Sequence, residues 1–123
     1  MATFPSLTPN ARTLGLGDYP QLLHTSSSGV SVRFLQGTKR VQQTLSLEYR
    51  ALPEASINSI YDHYTAQEGT LIPFALPSEV WAGYSSVPIS AVDYQWRYAD
   101  AFSVEPIGQN RFNVTIELVS ELI

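Results

Sequence analysis

Chemistry in a protein needs groups that take a proton, hold a metal or attack an electrophile, and this chain of 123 residues has few of them together. It holds two histidines, His24 and His63, eleven Asp and Glu, and no cysteine. Without cysteine there is no disulfide and no thiolate metal site. Neither histidine has a second His at metal-ligand spacing. His63 directly follows Asp62, but adjacent residues on a helix do not face each other, so the two form no proton-relay dyad. The HExxH, P-loop and G-x-S-x-G patterns are missing. Gly15-x-Gly17 lacks the third glycine and the following helix of a dinucleotide fingerprint. The acidic residues are scattered rather than paired. Asn113-Val114-Thr115 has the form of a glycosylation acceptor but falls inside an expected strand. The sequence nominates no catalytic residue, no metal ligand and no cofactor-binding residue, and the expectation is a protein that is not an enzyme.

Composition points the same way. Hydrophobic residues make up 44% and charged residues 15%, where about 25% charged is typical. Such a chain folds rather than staying disordered, and its low charge suits a surface partly covered by other proteins. The formal charge of −4 argues against wrapping nucleic acid, which Lys and Arg drive by neutralising phosphates. Residues 1–9 lack the basic and apolar regions of a signal peptide. No apolar run approaches the roughly 20 residues of a membrane helix, so no membrane partner is expected.

The remaining residues must be positioned by strands. One domain over 1–123 is expected, with residues 1–9 as an extended arm carrying Pro5 and Pro9. Gly17-Asp18-Tyr19-Pro20 reads as a turn. From Gln21 to Arg50 the pattern has period two: Val30, Val32 and Phe34, then Val41, Leu45, Leu47 and Tyr49 on one side. Gln42, Thr44, Ser46 and Glu48 form the opposite, polar row. Gly37-Thr38-Lys39 reads as the turn of this long hairpin, with Lys39-Arg40 as a basic spot at its tip. That spot is a solvated turn or a contact for an acidic partner. The polar row is either the solvated face of a sandwich or the wall of a channel or inter-subunit sheet.

Pro53 to Gln67 reads as the one helix, with Ile57, Ile60, Tyr61 and Tyr64 as its apolar stripe and Gly69 ending it. A loop with brief extended pieces spans Ser78 to Val92. Tyr94, Trp96 and Tyr98 make an aromatic strand, and Phe112 to Leu122 a second long amphipathic one. The aromatic strand suits a core better than a stacking platform, which would need a basic groove. The expected fold is mainly β (α+β): an antiparallel β-sandwich or half-barrel with a long hairpin and one flanking α-helix.

The order of these features resembles the minor tail proteins of long-tailed bacteriophages, of the lambda M type. The resemblance runs from Arg12 and Gly17-Asp18-Tyr19-Pro20-Gln21, through Leu45-Ser46-Leu47-Glu48-Tyr49-Arg50, to Gly69 and Pro73-Phe74-Ala75-Leu76-Pro77. It closes with Trp96-Arg97 and the strand Asn113 to Leu122. The second Gly of the family's FGDGY-type turn and its Trp-Thr-Pro-Pro stretch are absent.

The resemblance implies a tail-tube-like β domain that closes into a hexameric ring at the tail tip, without enzymatic activity. It implies a structural part of the virion tail, assembled in the host cytoplasm, with tail-tube and tip or hub proteins as neighbours. DNA would pass through the lumen unbound, past Gln42, Thr44, Ser46 and Glu48. The competing expectation is a small carbohydrate- or protein-binding β-domain with Trp81, Tyr84 and Trp96 as its platform.

Overall fold

The structure is a computed structural model that describes residues 2–35, 37 and 39–123, apart from the side chains of Leu22 and Phe34. Among the described residues, seven strands and one α-helix follow in the order β1 (Ala11–Gly15), β2 (Gln21–Thr25), β3 (Ser31–Leu35), β4 (Thr44–Pro53), α1 (Glu54–Ala66), β5 (Tyr94–Tyr98), β6 (Val104–Gly108) and β7 (Arg111–Leu122). The molecule is mainly β, its sheets are antiparallel, and one helix flanks them.

The main sheet has the order β1-β4-β7-β5, with β6 also paired to β7. Period two decides its faces. Leu45, Leu47 and Tyr49 of β4 sit opposite Leu118, Ile116 and Val114 of β7, and all six are buried. Ile57 and Ile60 of α1 close over this row together with Phe4, Phe74, Val80, Trp81 and Ile89. Each such buried side chain contributes on the order of 2 kcal/mol of hydrophobic stabilisation. The opposite face, with Thr13, Thr44, Thr115 and Glu117 exposed, has no second layer described on it.

The long hairpin exists with a different turn. β1 pairs with β4, Asp18 bridges Val41, and β2 pairs with β3. These three pairings make one interrupted ribbon. Its tip lies at Ser26–Gly29, where the Gly29 amide donates to Ser26 O at 3.0 Å and the Ser26 amide to Val30 O at 2.8 Å. The sequence-based turn at Gly37-Thr38-Lys39 is therefore corrected: β3 pairs with β2, not with β4 (Thr38 itself lies outside the described residues). The reason is burial. The apolar row of β4 takes the centre of the sheet between β1 and β7. A glycine is required at the neck of the ribbon. Gly17 has φ +66, and a Cβ there would meet Val41 O at 2.2 Å.

The helix runs one residue inside its expected span at each end, with Pro53 and Gln67 as the residues that flank it. Its end is a Schellman motif: Gly69 N–H donates to Tyr64 O and Glu68 N–H to Thr65 O, both at 3.0 Å. Both Glu68 and Gly69 adopt positive φ, so the left-handed turn begins one residue before the glycine. The helix buries His63, whereas Tyr61 of the expected stripe is exposed. The 78–92 segment opens with a short 3-10 turn, Ser78–Trp81, that buries Val80 and Trp81. The N-terminal arm folds back on its own domain. Phe4 N–H donates to Ala75 O at 2.8 Å, and its ring is buried.

Candidate functional site

Three of the four residues expected to form the polar row share one face. Thr44, Ser46 and Glu48 lie on the outward side of β4, opposite Val119, Glu117 and Thr115 of β7 and Gly15, Thr13 and Ala11 of β1. Gln42 does not join them. It precedes β4 with φ 57 and is exposed. Because β1 and β7 occupy both edges of β4, β4 cannot add to a sheet in another subunit, and only its face is available. Glu48 is partly neutralised by Arg50, whose Nη2 lies 2.8 Å from its Oε1.

The β4–β7 pairing shifts register between Tyr49 and Leu52, with Ala51 at φ 53. Asparagine side chains satisfy the two amides freed there. Asn10 Oδ1 accepts from Arg50 N–H at 2.7 Å, and Asn113 Oδ1 from Ala51 N–H at 2.9 Å. Asn113 therefore has a structural task that accounts for it without glycosylation.

Lys39 and Arg40 are not at the hairpin tip. Lys39 Nζ lies 3.0 Å from Asp93 Oδ1, and Arg40 O accepts from Tyr94 Oη at 2.8 Å. They fasten the base of the ribbon to the start of β5.

The buried polar pair is His63 and Tyr98. His63 Nδ1 lies 2.7 Å from Tyr98 Oη, and Nε2 has no hydrogen-bond partner among the described residues. Rings of Phe4, Phe74 and Tyr98 surround the imidazole with centroids at 5.5, 4.7 and 5.7 Å. Burial holds His63 below its ordinary 6.5 and pushes the Tyr98 hydroxyl up. The arrangement favours a neutral imidazole that joins arm, helix and sheet.

Arg97 is also occupied. Its guanidinium forms a fork to Glu121, with Nη2 at 2.9 and 3.0 Å from the carboxylate oxygens, and it also donates to Thr70 O and Leu71 O. Its hydrogen bond holds the Glu121 carboxyl below the usual range. Arg12 reaches the carbonyls of Val80 and Ala82 and lies 5.1 Å from the centroid of the Tyr84 ring. Trp81 and Trp96 are buried, and of the expected aromatic platform only Tyr84 is exposed. An open stacking surface for sugar rings is not formed there.

Two features escaped sequence reasoning. The first is the ribbon end, where every described side chain from Gln21 to Leu35 is exposed. Leu23 is 53% and Leu35 62% accessible. The second is a cleft of about 560 Å³ where β5 gives way to β6 along β7, walled by Glu48, Asp100, Phe102, Glu105, Asn113 and Glu117. Its carboxylates are dispersed in sequence, so no local motif marks it. Among the described residues no group of three His, Asp or Glu side chains could hold a metal, and no helix is long and apolar enough to cross a membrane. Comparisons with protein-family models, curated proteins and solved structures found no match.

Proposed function

We propose that this protein is a structural subunit of a long-tailed phage tail, at the tip, distal ring or tube. In this reading copies join into a six-membered ring around a DNA-conducting lumen, beside tail-tube and tip or hub proteins. The subunit is assembled in the host cytoplasm, ends in the virion, and acts without enzymatic chemistry.

One observation carries the reading. The β2–β3 end of the ribbon places Leu23, Val32 and Leu35 in water with no core beneath them. An isolated two-stranded ribbon is marginal in water. A chain gains from keeping such an element when another protein covers it. The uncovered face carries Thr44, Ser46, Thr115 and Glu117, and its charged Glu48 and Arg97 are paired with Arg50 and Glu121. Facing a lumen, that surface gives phosphates nothing to hold.

Replacing both Thr44 and Ser46 by Lys tests this. Far-UV circular dichroism and the melting temperature of the subunit should change little, because both side chains point away from the core. Ring formation, read by light scattering and negative-stain imaging, or DNA passage should fail. A subunit that stays monomeric at every concentration, alone and with the tail-tube protein of its own phage, overturns the proposal. A ring with these residues on its outer rim overturns the lumen assignment.

A further inference from the structure

The charge of the chain is unevenly divided. Residues 19–47 contain Arg33, Lys39 and Arg40 and no Asp or Glu, a formal +3, which leaves −7 for the remainder of a chain whose total is −4. Lys39 is paired within its own subunit. Arg33 is exposed, and its described contact is a long 3.5 Å bond to Gln21.

Register gives this arginine its neighbours. Leu23 is directly opposite Arg33, and Gln21 opposite Leu35. In an antiparallel pair, opposite residues share a face. One face of the ribbon end therefore has a cation flanked by two exposed leucines. His24 and Val32 lie on the other face.

The uncovered face of the main sheet has the complement. β5 pairs with Leu118–Leu122 of β7 and β6 with Arg111–Val114. Between these pairings the 99–103 connection leaves the cleft open. Its wall has Asp100, Glu105 and Glu117 beside the apolar Phe102 and Val104, and no Lys or Arg. The two surfaces lie apart along β4, the ribbon beyond its first residue and the cleft beside its middle. The ribbon leaves from the Thr44 end, and the cleft adjoins Glu48 and Tyr49. A subunit therefore cannot fill its cleft with its own ribbon unless the ribbon folds back along the sheet.

We infer that the β2–β3 end of one copy seats its Leu23–Arg33–Leu35 face in the Asp100–Phe102–Glu105 cleft of a second copy. This rests on the assembly reading above and names its contact. The joined surfaces differ, so the contact is head-to-tail and propagates to a ring or a filament. Side chains fill the cleft, leaving Thr44 and Ser46 open to the lumen.

The chain has no cysteine, so engineered thiols report cleanly. Full-length L23C and a tagged S103C, mixed and oxidised, should give a cross-linked heterodimer well above that from V32C with S103C, because Val32 is on the opposite face. R33E should lower the yield about tenfold, and pairing R33E with E105R on the S103C partner should restore it, since close charge pairs across an interface couple strongly. Equal cross-linking from L23C and V32C, or association indifferent to R33E, overturns the seat. If light scattering shows rings while L23C and S103C stay unlinked, the seat fails and the ring stands. If they link but mass stops at two subunits, the seat stands through reciprocal exchange and the ring fails. A monomer without cross-links overturns both.

Discussion

β4 and β3 have similar alternation and opposite fates. Leu45, Leu47 and Tyr49 on β4 are at most 1% accessible, while Val32, from the alternating row of β3, is 45% accessible. β4 is flanked by β1 and β7 and covered by α1. β3 has only β2. An alternating pattern states that one side of a strand suits an apolar environment. It does not state whose chain supplies that environment.

The comparison breaks most easily at its buried end. Leu47→Ala removes a fully buried side chain and should cost about 3 kcal/mol, a large share of a small domain's stability. Leu35→Ala on the ribbon should move the monomer's urea midpoint little and weaken self-association instead. Urea titration followed by sedimentation would separate the two effects. Equal loss of monomer stability in both variants would erase the distinction drawn between the two regions.

A second, smaller effect concerns the histidines, one in each region. Burial lowers the pKa of His63, so below pH 6.5 the unfolded chain binds more protons at this residue than the folded one. Stability should therefore fall as pH drops through 6.5 toward the lower folded value, by at most about 1.4 kcal/mol per pH unit. The slope should flatten in His63→Leu and persist in His24→Gln, since His24 is exposed. Glu121 adds its own loss at more acidic pH, as its Arg97-held carboxylate is protonated. A wild-type profile flat between pH 7 and 5 would contradict the burial of His63.

The smallest effect belongs to the fastening between the regions. Lys39→Ala breaks an exposed ion pair with Asp93 and should change stability by less than about 0.5 kcal/mol. A larger loss, measured by thermal melting, would mean that the ribbon base is held more firmly to the body than its exposure suggests.

Much of the fold was legible because it depends on local patterns. The period-two row of β4 and β7 and the helix that follows Leu52 rest on residue spacing and backbone preference, although the helix starts at Glu54 rather than Pro53. The candidate surfaces were less legible. The polar row of Thr44, Ser46 and Glu48 is marked by alternation, but Gln42 left it because the backbone at that residue turns to a positive φ. The ribbon turns at Ser26–Gly29 rather than at Gly37 because both offer similar turn chemistry, and only the burial of β4 between β1 and β7 selects between them. His63 rather than Tyr61 is the buried helix residue, and Tyr98, distant in sequence, satisfies one of its two ring nitrogens.

By itself, the sequence determined that this chain forms a mainly β domain with one helix, two long amphipathic strands and no local catalytic or metal-binding motif. Those properties rest on composition and short-range spacing. Only the tertiary structure decided that β4 is central, that the ribbon tip is at Ser26–Gly29, and that Asp100, Glu105 and Glu117 gather beside Phe102. Such choices depend on which distant strands meet, and period two permits many partners until burial selects one.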